Sequence, residues 1–105
     1  MNKNYMFGVR ERTASGTSFH GTTVNLTLEQ LIQVLGPDFR STDKTTHDWV
    51  CQNHDGEIFT VYNWKSGMPA YNEVVVWNIG GYSKESTEKA KIELVDAALN
   101  LPLGT

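Results

Sequence analysis

Residues 49–64 read WVCQNHDGEIFTVYNW, two aromatic-rich alternating runs on either side of Asn53-His54-Asp55-Gly56. Runs of Val, Ile, Thr, Tyr, Phe and Trp bounded by turn formers signal strands. Asp-Gly between such runs signals a two-residue type I′ hairpin turn, in which both central positions take positive φ. That turn predicts His54 opposite Glu57, Cys51 opposite Thr60 and Trp49 opposite Tyr62. Trp49, Cys51, Ile58, Thr60, Tyr62 and Trp64 would then share one face, and Val50, Phe59 and Val61 the other. Both faces carry apolar groups, so the hairpin belongs to a larger sheet that helices or a partner chain must cover.

Toward the C-terminus, the turn-rich Lys65–Asn72 leads into Glu73-Val74-Val75-Val76-Trp77-Asn78-Ile79. Its β-branched run predicts a central strand over 73–79 with both faces buried. A helix is predicted from about 84 to 100, with Ala90, Leu94, Ala97 and Leu101 as its apolar stripe, extended by Ile92, Val95 and Leu99. Glu85 and Lys89 are expected to pair at i,i+4 on its solvent side. Toward the N-terminus, Thr27-Leu28-Glu29-Gln30 has the capping-box pattern. Leu28, Leu31, Ile32 and Leu35 then recur at helical spacing, and Gly36-Pro37 ends the run. A helix is thus predicted over 28–35, preceded by a short strand over Phe19–Asn25. Residues 1–16 read as a flexible leader and 17–105 as one domain. The order β-α-β-β-β-α predicts an α+β fold, a small antiparallel sheet packed with two helices.

Composition narrows the function. With 39% apolar and 20% charged residues, the chain falls among globular proteins of one domain. It has no apolar run of the roughly 18 residues needed to cross a bilayer, so no membrane partner is expected. The first residues lack the apolar core of a secretory signal, and a lone cysteine, Cys51, fits a reducing compartment, so a cytoplasmic location is expected. A formal charge of −3 speaks against nucleic acid as a partner. His20, His47 and His54 lack the spacing of a metal site. Cys51 reads as a buried inert thiol within a strand. No Gly-x-Ser-x-Gly elbow or P-loop is present, and nothing assembles a nucleophile, a base and an oxyanion site. A non-enzymatic protein without cofactor or metal is expected.

Residues 77–87, WNIGGYSKEST, carry the first candidate binding site. Gly80, Gly81, Ser83, Ser86 and Thr87 at a helix N-terminus can hold a phosphate or carboxylate, with Lys84 adding charge and Tyr82 stacking on a ring. The same residues also read as a tight strand-to-helix joint in which Ser83 only caps its helix. Trp64, Lys65 and Tyr71 form a second candidate, flanking the loop that contains Gly67, Met68 and Pro69; Trp64 reads equally well as core. His20-Gly21-Thr22-Thr23, offering an imidazole and hydroxyls before the first helix, is a third, and ordinary turn chemistry explains it nearly as well.

Four segments resemble a family of small proteins encoded in bacteriophage genomes: Phe19-His20-Gly21-Thr22-Thr23-Val24, Leu31-Ile32-Gln33-Val34-Leu35-Gly36-Pro37, Phe59-Thr60-Val61-Tyr62-Asn63-Trp64-Lys65 and Trp77-Asn78-Ile79-Gly80-Gly81. The resemblance spans roughly residues 17–100. This chain has Asn78 where the family pattern carries histidine, which argues against proton transfer there. That family is largely uncharacterised; by analogy of context with other small phage proteins that counter bacterial defences, a phage-type binding protein acting in the host cytoplasm and sequestering a small anionic, nucleotide-derived ligand is expected. The alternative is inhibition of a host protein through an exposed aromatic face or sheet edge. A homo-oligomer is also expected, because two short helices do not easily cover two apolar sheet faces.

Overall fold

The computed structural model describes residues 17–36, 45–53, 55–64 and 72–100, with the side chains of 45, 46 and 64 left aside. The elements are β1 (Ser18–Thr27), α1 (Leu28–Leu35), β2 (Thr45–Gln52), β3 (Ile58–Trp64), β4 (Val74–Gly81) and α2 (Lys84–Leu99). The α+β order read from the sequence is the order observed. The four strands form one antiparallel sheet in the order β1-β4-β3-β2. The leader, residues 1–16, lies outside the described residues, as does Leu101.

Both helices begin as their sequences dictate. Thr27 Oγ1 accepts the Gln30 amide at 3.0 Å, and the Gln30 side chain accepts the Thr27 amide at 2.9 Å. Ser83 and Ser86 make the equivalent reciprocal pair at the head of α2, each bond at 3.1 Å. Such caps satisfy amides that a helix leaves without partners. β1 and β2 are opposite edges of the sheet, three strand spacings or about 14 Å apart. The eight residues of α1 rise about 12 Å, so one short helix nearly bridges that gap. The Trp49 indole donates to the Gly36 carbonyl at 3.0 Å and fixes the far end of α1 over β2.

The hairpin register differs from the one Asp-Gly implies. Trp49 faces Val61, Val50 faces Thr60 and Cys51 faces Phe59, one residue away from the expected pairing. Asn53 is the cause. Its carbonyl accepts the Gly56 amide at 3.0 Å, and its Oδ1 accepts the amides of Asp55 and Glu57, both at 2.9 Å. Asn53 therefore opens a turn closed three residues later by Gly56, whose φ of 85° only glycine adopts freely. Among the described residues no other residue type has positive φ, so Asp55 cannot fill a type I′ position. A three-residue loop has the opposite parity to a two-residue loop, and a one-residue slip turns β3 over relative to β2. Trp49, Cys51, Phe59 and Val61 thus share a face, while Val50, Ile58 and Thr60 share the other. The expected pairing of His54 lies outside the described residues.

That slip builds a single core. Val24, Leu26, Trp49, Cys51, Phe59, Val61, Trp77 and Ile79 from the sheet meet Leu28, Leu31 and Leu35 of α1 and Ala90, Leu94 and Ala98 of α2. Trp49 and Trp77 are fully buried, with ring centroids 5.7 Å apart in an edge-to-face arrangement. The Trp77 indole donates to the Leu26 carbonyl at 2.9 Å, so neither indole N–H is stranded. The buried stripe of α2 is Thr87, Ala90, Leu94 and Ala98 rather than the one expected through Ala97. Ile92 and Leu99 point to solvent, 69% and 79% exposed. Lys89 reaches Asp55 and Glu57 in the β2–β3 loop, and the i,i+4 pair on α2 is Lys84–Glu88 at 3.3 Å instead of Glu85–Lys89.

The face turned away from the helices corrects a further expectation. β4 is central, yet Val74 and Val76 are exposed on that face, because nothing among the described residues lies over their end of it. Toward the other end, Val50, Ile58 and Thr60 are buried.

Candidate functional site

The sheet ends at a corner where the start of β1, the end of β4 and the head of α2 meet. β1 and β4 pair Phe19 with Gly80 and Thr22 with Ile79, so His20 and Gly21 are extra residues in β1. Such a bulge re-aims a side chain. The His20 Nε2–H is aimed at the Gly81 carbonyl, 3.1 Å away. Lys84, the first residue of α2, folds back over the bulge, with Nζ 3.9 Å from where a Cβ would stand on Gly21.

The two glycines at this corner are strand residues, the last of β4. A Cβ on Gly80 would stand 2.6 Å from Thr60 Oγ1, and one on Gly81 2.8 Å from Thr87 Cγ2 and 3.0 Å from Ser86 Oγ. Their missing side chains are thus replaced by protein atoms, and the close approach they permit is that of α2 and β3. Thr87 locks the contact: its hydroxyl donates to the Lys84 carbonyl at 2.7 Å and lies 2.7 Å from Thr22 Oγ1, joining α2 to β1 in the interior.

What stays accessible is a smaller set. Tyr82 and Phe19 are each 49% exposed, and Ser83 and Lys84 lie at the surface. The amides of Lys84 and Glu85 have no acceptor among the described residues, since Ser83 satisfies those of Ser86 and Thr87. At the head of α2, Tyr82, the Lys84 ammonium, the His20 imidazole and two helix amides gather at the positive end of a helix dipole, while Phe19, opposite Gly80, shares the sheet face of Thr60 that turns away from the helices. Of the sequence candidates the corner brings together His20, Tyr82, Ser83 and Lys84 at the surface, with Gly80, Gly81, Ser86 and Thr87 behind them in the packing. Lys65, Tyr71 and the side chain of Trp64 lie outside the described residues. Phe19 and Gly21 were not singled out from the sequence, although a glycine within a strand pattern is a bulge signal.

Two other titratable groups, Cys51 and His47, are packed away. Cys51 is fully buried, and burial together with the charge of Asp48 pushes its thiol far above the ordinary range, which makes it inert. His47 is only 2% exposed, packed against both Trp49 and Trp77 with each ring centroid at 6.1 Å, and burial lowers its pKa. Its amide donates to Asn63 Oδ1 at 3.0 Å. Among the described residues no group of His, Cys, Asp and Glu is arranged to hold a metal ion, and no helix is long and apolar enough to cross a membrane. No protein-family model, curated protein or solved structure matches the chain.

Proposed function

We propose that this chain is a non-enzymatic, phage-type binding protein that sequesters a small anionic, nucleotide-derived ligand in the host cytoplasm. The observation that carries this reading is the corner itself, where Tyr82 is open at the head of α2 beside Lys84, His20 and two α2 amides that have no acceptor among the described residues. A phosphate is served by the amides and the ammonium, and a base by a ring. The assay is calorimetry with mononucleotides, cyclic dinucleotides and inorganic phosphate. Tyr82→Ala removes a stacking contact worth about 1–3 kcal/mol per base, so nucleotide affinity should fall about 5- to 150-fold. Lys84→Gln should weaken nucleotide and phosphate alike. Nucleotide binding unchanged in both variants, or no binding by the parent chain, would sink the reading.

A second reading, docking against a host protein, is favoured by a different observation. Val74 and Val76 are 62% and 57% exposed on the face opposite the helices. Here Val76→Lys should abolish complex formation, while Tyr82→Ala leaves it unchanged.

A further inference from the structure

We propose that a second copy of this chain pairs with β1 along the open edge of the sheet. Two four-stranded sheets would thereby join into one of eight strands about a two-fold axis. This goes beyond the ligand reading and does not depend on it.

The edge itself is the first argument. β1 is an outer strand, and among the described residues only β4 pairs with it. Alternate residues along β1 therefore direct N–H and C=O groups away from the sheet. Exposed edges are ordinarily blunted by a charge, a proline, a bulge or a covering segment. From Thr22 to Thr27 the chain reads TTVNLT, with no charged residue and no proline. Its register against β4 runs unbroken from Thr22–Ile79 to Thr27–Val74, and the bulge is confined to His20 and Gly21. The opposite edge, β2, is managed: it carries Asp48 and a register shift between Thr45 and Asp48.

Charge selects the occupant. The chain has a formal charge of −3, so contacts between copies through acidic surface are disfavoured. Across β1 a second copy presents an equally neutral strand of the same length, so no like charges meet between the two strands.

Symmetry then fixes the geometry. A two-fold axis that brings edge to edge reverses both the strand direction and the lateral direction, so it keeps the same face upward. All four helices must lie on one side. Directly opposed residues share a face, so the axis must pass beside one residue opposed to its own copy, not between two successive residues. Within Thr22–Thr27 this permits a register centred on Val24, with Thr23 opposite Asn25 of the second copy, or one centred on Asn25.

The experiment is light scattering at micromolar concentration, where the parent chain should show about twice its 11.8 kDa. Asn25 is exposed, so Asn25→Lys should keep the circular dichroism spectrum and yield a monomer by placing like charges across the axis. Val76→Lys, one strand inward, should remain a dimer. A monomeric parent chain, an open-ended assembly, or a dimer that survives Asn25→Lys overturns the proposal. Should Asn25→Lys fail to fold, cysteine pairs decide. Under oxidation, Asn25→Cys should cross-link to its own copy or to Thr23→Cys, since opposed Cβ atoms lie about 4.5–5.5 Å apart. The absence of both cross-links overturns the proposal as well.

Discussion

Replacing Gly81 by alanine distinguishes a glycine kept for a ligand from one kept for packing. The new Cβ would stand 2.8 Å from Thr87 Cγ2, where carbons prefer about 3.5–4.0 Å. Thr87 cannot swing aside cheaply, because it is fully buried and its hydroxyl holds both Thr22 and the Lys84 carbonyl at 2.7 Å. Ser86 Oγ, 3.0 Å from the same point, is half of the capping box. Relief requires α2 to lift from the sheet, and overpacking of this kind costs about 1–3 kcal/mol. Against this, Gly81 does not have positive φ, so alanine fits the backbone and restricts the unfolded chain, returning about 0.4–1 kcal/mol. The net loss is about 1–2 kcal/mol, a fall in Tm of roughly 5–15 °C for a domain of this size.

Thermal and urea unfolding of the parent, Gly81→Ala, Thr87→Ser and the double variant form the assay. Thr87→Ser removes only the obstructing methyl and should cost about 1 kcal/mol alone. In the double variant most of the Gly81→Ala loss should be recovered, with a coupling above about 0.5 kcal/mol. If Gly81→Ala melts at or above the parent temperature, the space beside this strand end is open. The packing argument for the joint would then be wrong.

Two further outcomes test the hairpin and the core. Asn53→Ala should lower stability by about 1–3 kcal/mol in urea titrations, because Asn53 is 4% exposed and its side chain accepts two amides and donates to Glu57; an unchanged midpoint would mean that something else closes the loop. His47 titrates near 6.5 when unfolded and lower when folded, so the unfolded chain binds the extra proton. Its contribution to stability is whole above about pH 6.5 and is lost as pH falls toward the depressed folded value. His47→Phe should flatten that slope in urea midpoints taken between pH 7.5 and 5.5, and an equal slope in both chains would remove His47 as its source.

The elements legible in the sequence are those written in local chemistry. Both helix starts follow from local caps, Thr27 with Gln30 three residues on and Ser83 by itself, and the structure has both helices there and adds Ser86 as the partner of Ser83. The hairpin was half legible. NHDG names a turn, but Asp-Gly and Asn-x-x-Gly are two ways of making one, and they differ by one residue. The burial pattern resolves them: only the Asn53 turn puts Trp49, Cys51, Phe59 and Val61 on a common side. Apolar pairing across the strands was the stronger signal, and turn chemistry taken alone pointed to the weaker register.

The candidate corner was legible as a place and not as a mechanism. Residues 80–86 announce a strand, a glycine joint and a capped helix, which any ligand-free connection shares. What separates packing from binding is carried by residues remote in sequence: Thr60 fills the space beside Gly80, and His20 crosses 61 positions to the Gly81 carbonyl. The two glycines are strand positions cut away so that α2 and β3 can close in. The groups left over for chemistry are those that close packing does not consume, Tyr82, Lys84 and two amides on one side and His20 on the other. A bulge in an otherwise regular edge strand is what presents His20. The same edge is regular from Thr22 onward, so one strand divides its length between the corner proposed for a ligand and the edge proposed for a second copy.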